Sequence, residues 1–278
     1  MTIAIVIHVN DGVVLAADSA STFAIGAPQD GRIEVVNIYE NACKVFNLRK
    51  RYPIGAITWG TGSIGYSSVA TLVKDYRAGL EGRADRNELP EELNVKDLAE
   101  DFRQFISGKY EEAFKNWEPK QRPPLGFVIV GYSCRQPLPE SWVMVLEGKA
   151  DCSLSKATEI GGIFCAGEAE PILRMCRGYS DGVAPILKDE KIDDAKIKSI
   201  MSQCQKKLGA QIIAPAMPIQ DAIDLARFLA ETAKQFSRFK MGAPVVGGPI
   251  EIATITKHEG FKWIQRKHYY RAELNPLL

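Results

Sequence analysis

The sequence has little histidine. There are three in 278 residues, and His8, His258 and His268 sit in no motif, which leaves few candidates for histidine-based catalysis or metal binding. His8 reads as a strand residue rather than a ligand. The six cysteines are scattered with no Cys-x-x-Cys pair, so a zinc site or disulfide framework is not expected, and most should be small buried hydrophobes. No apolar run reaches the roughly 18 residues a membrane span needs, and the N-terminus lacks the basic stretch and cleavage site of a signal peptide. A cytoplasmic protein without a membrane partner is expected. A net excess of either charge is missing too. With 35 Lys+Arg against 34 Asp+Glu, the net charge of +1 exerts no global pull on nucleic acid, and the longest basic run is Arg49-Lys50-Arg51.

What is present is an ordinary globular composition, 46% hydrophobic and 25% charged, enough to bury a sizeable core. No linker or low-complexity tract interrupts it, so a single domain over 1–278 is expected. Residues 2–9, 12–20, 43–48 and 54–59 read as strands, being β-branched or apolar and bounded by turn residues. Helical spacing follows over 63–80, then a polar stretch at 82–87. A second helix over 95–117 carries Leu98, Phe102, Phe105 and Phe114 roughly on one face, and both helices should pack on one side of a sheet. Strands resume at 125–131, 142–147 and 161–164; helices are expected at 171–177, 194–208 and 219–239, and closing strands at 250–256 and 261–265. Strands, two helices, strands, helices, strands is an α+β order. Strands that are apolar on both faces call for cover on both, so two stacked antiparallel sheets between helix layers fit best.

Thr2 follows Met1 and opens the first strand. Removal of Met1 would give it two chemical parts at once: a hydroxyl nucleophile and an α-amine whose free pKa of about 8 suits a general base. Asp18 lies one hairpin away. The register of that hairpin decides whether the two meet. A two-residue turn at Asp11-Gly12 pairs Asn10 with Val13, sets Ile5 against Asp18, and puts Asp18 on the sheet face opposite Thr2. A three-residue loop with Gly12 in a left-handed bulge pairs Val9 with Val13 and Ala4 with Asp18, which brings Asp18 diagonal to Thr2 on one face. A carboxylate after Leu15-Ala16-Ala17 should be partly buried and needs a cation or several hydrogen-bond donors. Lys44, entering the apolar stretch Val45-Phe46, is the candidate partner; taken alone it is also an ordinary lysine at a strand start with its ammonium in water.

Taken together, Thr2, the run from Asp11 to Ser19 (Asp-Gly-Val-Val-Leu-Ala-Ala-Asp-Ser), Lys44-Val45-Phe46 and the glycine-containing bend after 54–59 resemble a proteasome β-subunit. The resemblance spans nearly the whole chain in element order, with its specific motifs in the first 65 residues. It implies the N-terminal nucleophile hydrolase fold, a four-layer αββα sandwich. It further implies Thr2 as nucleophile, Asp18 and Lys44 as the charged pair beside it, and Gly60 as the oxyanion-hole N–H. Lys44 would favour deprotonation of the hydroxyl and Asp18 would hold the lysine charged, while one oxyanion donor is typically worth about 3 to 4 kcal/mol. The expected reaction is threonine-type cleavage of peptide bonds in peptides or unfolded proteins, in a ring-shaped homo-oligomer, without metal or cofactor. The sequence leaves open whether an ATPase or activator partner takes part.

The sequence also departs from that pattern. The segment 23–41 is longer than the usual spacing, so a loop near the substrate groove should be enlarged. Cys165-Ala166-Gly167-Glu168 replaces a Gly-Ser-Gly, and Val246-Gly247-Gly248 with Ala243 replaces a Ser-Gly-Gly with its upstream aspartate, so supporting side chains are missing. Gly167-Glu168 and Pro171-Ile172-Leu173 look more like the bacterial ancestral β-subunit group.

Three rivals remain. Gly60-Thr61-Gly62-Ser63-Ile64-Gly65 is formally a Gly-x-Gly-x-x-Gly, but no second parallel strand with an acid about 20 residues on follows it. A small-molecule amidohydrolase would use the same nucleophile, and here the proteasome-like run around Asp18 and Lys44, with no visible propeptide, favours a peptidase. A non-catalytic ring subunit has no need for Thr2, Asp18 and Lys44 together.

Overall fold

A computed structural model describes residues 2–25, 34–50, 52–83, 94–148 and 152–267. Its element order is β1 (Ile3–Val9), β2 (Gly12–Ala17), β3 (Ser21–Ile25), β4 (Glu34–Tyr39), β5 (Val45–Asn47), β6 (Ile54–Gly60), β7 (Ser63–Ile64), β8 (Ser67–Ser68), α1 (Val69–Arg83), α2 (Val95–Phe114), β9 (Leu125–Gly131), β10 (Glu140–Leu146), β11 (Ser155–Lys156), β12 (Ile163–Gly167), α3 (Glu170–Arg177), α4 (Val183–Asp189), α5 (Asp194–Leu208), α6 (Ile219–Phe239), β13 (Glu251–Thr256) and β14 (Gly260–Gln265).

Two five-stranded sheets result, one ordered β12-β1-β2-β13-β14 and the other β11-β10-β9-β6-β5. Every pairing in both is antiparallel, which removes the dinucleotide-binding reading of Gly60–Gly65, since that motif needs a parallel βαβ unit.

Period-2 alternation explains how one strand serves two cores. Ile3, Ile5 and Ile7 of β1 point to α3 and α6, meeting Ile172, Ala226, Leu229 and Ala230. Ala4 and Val6 point the other way and join Val13, Leu15 and Ala17 against Ile57, Val128 and Val130 of the second sheet. The outer face of that second sheet packs Phe127 and Ile129 on α1 and α2. Helices, sheet, sheet, helices is the resulting layer order. Phe102 anchors one side: it meets Phe127 and Tyr76 edge-on, each with ring centroids 5.0 Å apart. Such pairs add about 0.5–1.5 kcal/mol beyond their area burial.

Three expectations need correction. The helix expected over 63–80 begins at Val69, because Ser63–Ile64 and Ser67–Ser68 pair as a small hairpin turned at Gly65 (φ +57°). The enlarged loop expected over 23–41 instead carries paired strands β3 and β4, with 26–33 outside the described residues. Apolar spacing gives no element where α4 lies, since Pro185 sits inside that helix and none of its residues is buried. The polar stretch 82–87 falls largely outside the described residues.

Candidate active site

Neither hairpin register anticipated from the sequence is the observed one. Val9 pairs with Gly12 and Ala4 with Ala17, so the turn is the two residues Asn10-Asp11, both at negative φ. Gly12 is not left-handed either. Its missing side chain instead permits close approach of β13, because a Cβ there would lie 2.7 Å from the Ile255 carbonyl oxygen. In this register Asp18 comes opposite Ile3, and strict alternation would send its side chain to the helix side, away from Thr2. It does not go there, because β2 ends at Ala17. Asp18 N–H still donates to the Ile3 carbonyl (3.4 Å), but Ile3 N–H donates to Asp18 Oδ1 (3.0 Å) rather than to the next backbone carbonyl. The carboxylate has turned into the ladder position that a backbone oxygen would occupy.

Four donors converge on that carboxylate: Ile3 N–H and the Lys44 ammonium (2.7 Å) on Oδ1, and Ala20 N–H (3.1 Å) and Gly247 N–H (3.0 Å) on Oδ2. Asp18 and Lys44 are both buried, with 0% and 6% of their side chains exposed. Burial pushes the Lys44 ammonium below the usual lysine range, and Asp18 opposes that shift by charge and hydrogen bond.

Thr2 is buried, directly precedes the Ile3 N–H that binds Asp18, and by alternation continues the row of Ala4 and Val6 that faces the second sheet. Its carbonyl accepts from Glu168 N–H (2.7 Å), extending the β1–β12 pairing by one residue. Gly167, at φ +82°, makes room for it: a Cβ at that position would lie 1.8 Å from the Thr2 oxygen. The two departures noted in the sequence therefore both reach this corner through backbone atoms, Gly167-Glu168 at Thr2 and Gly247 at Asp18.

Gly60 closes β6 at φ +96°, with a would-be Cβ 2.3 Å from the Pro124 carbonyl oxygen. Thr58 N–H donates to the Lys44 carbonyl (2.9 Å), and by alternation the Gly60 N–H, two residues on, points to the same side, beyond where β5 pairing has ended.

The sequence matches no family model and no curated protein. Solved structures do resemble it. Anbu (ancestral β-subunit) from Yersinia bercovieri superposes with a TM-score of 0.50 at 11% identity, over 96% of this chain and 89% of that one. The chain has the Anbu fold. Two further Anbu structures align similarly. The helical assembly of the Anbu complex from Pseudomonas aeruginosa shows a TM-score of 0.49 at 13% identity over 98% and 90% of the two chains. The Gly-1 mutant of Anbu from Hyphomicrobium sp. strain MC1 shows 0.48 at 14% over 97% and 90%.

Within this Anbu fold the sequence reading missed a second buried ion pair. Glu251 of β13 lies opposite Ala17, one residue before Asp18, and its Oε2 is 3.1 Å from Lys267 Nζ. Lys267 also donates to Ser19 Oγ (2.7 Å) and to the Ala42 carbonyl. A glutamate opening an apolar strand, Glu251-Ile252-Ala253, was the available signal; a lysine 16 residues later in a polar tail gave none. His8 is buried with neither ring nitrogen hydrogen-bonded among the described residues, and burial lowers its pKa to about 4, so it sits as a neutral strand residue as expected. None of the six cysteines pairs in a disulfide among the described residues, and burial pushes Cys165 up to about 12. Among the described residues no helix is long and apolar enough to cross a membrane.

Proposed function

We propose that this chain is a threonine-type N-terminal nucleophile hydrolase that cleaves peptide bonds. The observation that carries the reading is the shared oxygen of Asp18: it binds the Lys44 ammonium and the Ile3 N–H together, so a buried lysine is held against the peptide group immediately following Thr2.

In this reading Met1 is removed and the Thr2 hydroxyl attacks the substrate carbonyl while the new α-amine accepts its proton. Lys44 lowers the cost of developing alkoxide charge, and Asp18 keeps that ammonium charged in a buried setting. The Gly60 N–H faces the oxyanion. Collapse of the tetrahedral intermediate expels the amine product, which takes the proton from the α-ammonium, and leaves an ester on Thr2. Water, deprotonated by the same amine, attacks the ester carbonyl and restores the hydroxyl. Backbone donors and glycine corners carry the positioning that a serine and an aspartate supply in the resembled pattern. Phe228, Phe236 and Phe239, exposed along α6, supply an apolar face for self-association.

Intact mass and N-terminal labelling test the reading, with and without a threonine-directed covalent inhibitor. Loss of Met1 and a single adduct on Thr2 are expected, together with hydrolysis of a peptide library that Thr2→Ala abolishes. Retained Met1 with no adduct, or peptide cleavage unchanged in Thr2→Ala, sinks the mechanism. Turnover confined to small amides would keep the nucleophile and change the substrate.

A further inference from the structure

The Asp18–Lys44 pair does not stand alone between the sheets. Ser19 lies next to Asp18 in the chain, and four bonds fix it. Its N–H donates to the Gly247 carbonyl (3.0 Å), its carbonyl accepts from Ala42 N–H (2.9 Å), its hydroxyl donates to the Pro249 carbonyl (2.7 Å), and the same hydroxyl accepts from Lys267 Nζ (2.7 Å). Lys267 thereby grips both flanks of the pair: Ser19 beside Asp18, and Ala42 two residues before Lys44. Its counter-ion Glu251 is almost wholly inaccessible, with 2% of its side chain exposed, and Oε2 has no aligned hydrogen-bond donor among the described residues. Lys267 compensates the charge of Glu251, and an unpaired carboxylate so deep would be strongly disfavoured.

We propose that Glu251 and Lys267 are positioning residues for the Lys44–Asp18 pair, a second buried salt bridge that sets the charge environment of Lys44 and ties it to the chain beyond β14. The proposal rests on the threonine-hydrolase reading for its consequence, activation of Thr2, but not for the coupling itself. Two opposite fields reach Lys44 from this pair. Lys267 opposes its protonation and Glu251 favours it, so the two members act on Lys44 in opposite directions and removal of one leaves the other unopposed. Among the described residues the other charged groups facing this cluster are Asp18, from the end of β2, Glu40, whose Oε1 lies 3.7 Å from where a Cβ on Gly247 would be, and the cations Lys50, Lys74, Arg77 and Arg266, which line the crevice of about 240 Å³ that reaches Glu251 between the edges of the two sheets. All of these are common to every variant below and leave the comparison intact.

The test is a cycle of Glu251→Gln, Glu251→Gln/Lys267→Met and Glu251→Asp in the full-length protein. Lys44 titration is followed by NMR of labelled lysine side chains, assigned with Lys44→Met, and the pH profile of Thr2 acylation by a threonine-directed electrophile is measured in parallel. Glu251→Gln leaves Lys267 uncompensated and should lower the Lys44 midpoint by about half a pH unit or more. Adding Lys267→Met should return it toward the starting value, and Glu251→Asp should keep it there. A role confined to packing predicts no such recovery, because the double variant removes more structure than the single one. If the midpoint stays within about 0.2 unit in Glu251→Gln, or the double variant moves further from wild type, the proposal fails whatever the activity. If the midpoint shifts and recovers but Thr2 is never acylated in the wild type, the coupling stands and the hydrolase reading falls. Should Glu251→Gln not fold, Ser19→Ala and Lys267→Arg serve as the second pair. Loosening the Lys267 anchor in Ser19→Ala should shift the midpoint and Lys267→Arg should keep it; no shift in Ser19→Ala overturns the proposal.

Discussion

Asp18 and Lys44 meet at 2.7 Å as a buried pair, yet the two partners are not equally dependent on one another. Asp18 keeps three backbone N–H donors if the ammonium is removed, whereas the Lys44 ammonium has no other hydrogen bond among the described residues. Breaking a buried pair from one side costs about 3–5 kcal/mol when the remaining charge is stranded.

The consequence is an asymmetry. Asp18→Asn should destabilise by about 3–5 kcal/mol or prevent folding, because the amide presents an NH2 group to a set of four donors and strands the lysine. Lys44→Met should cost less, about 1–3 kcal/mol, with the carboxylate still held by backbone. Urea unfolding of the two variants checks the order; a larger loss in Lys44→Met would show that the N–H donors contribute little.

Glycine positions offer a second contrast. Gly167→Ala combines a positive φ with a Cβ 1.8 Å from the Thr2 carbonyl oxygen, and should cost about 2 kcal/mol or more while displacing Thr2 and reducing its labelling. Gly108 lies exposed inside α2, and a methyl group added there would meet nothing within 4 Å. Gly108→Ala should therefore stabilise by about 0.5–1 kcal/mol and leave labelling unchanged. Denaturation midpoints and adduct yields read both effects.

His8 makes stability depend on pH. Its pKa is about 4 in the folded chain against 6.5 when free, so the unfolded chain binds the extra proton first as pH falls. The stabilising effect is complete above about pH 6.5 and is lost between there and pH 4, a total of about 3 kcal/mol. His8→Leu, neutral and of similar volume, should flatten that part of the stability profile. Equal slopes between pH 7 and 5 in both proteins would assign the acid sensitivity elsewhere.

The apolar face of α6 predicts association. Phe228 is 53% exposed and Phe239 76%, beside Met241 at 96%. Replacing Phe228 and Phe239 by lysine should lower the sedimentation coefficient of the native species and change monomer stability by less than about 0.5 kcal/mol. An unchanged sedimentation profile would put any assembly contact on another surface.

Sequence alone determined the elements whose signal is local. Residues 125–131, 194–208 and 219–239 carry their period and boundaries in their own composition and appear as β9, α5 and α6 at those limits. It also singled out Thr2, by its place after Met1, and Asp18 and Lys44, because a carboxylate and a lysine at the ends of apolar strands must find partners or be excluded; Gly60 entered only through the resemblance to a proteasome β-subunit. Tertiary structure decided how Asp18 and Lys44 meet. The hairpin turn fell at Asn10-Asp11, which by alternation should have separated Asp18 from Thr2; the end of β2 at Ala17 released the carboxylate into the ladder instead. The pairing of Glu251 with Lys267 was likewise invisible in sequence, since an ion pair between β13 and the chain after β14 exists only once β13 is laid beside β2. Periodicity is a property of neighbours along the chain, whereas the partner of a buried charge is chosen by whichever distant backbone packs against it.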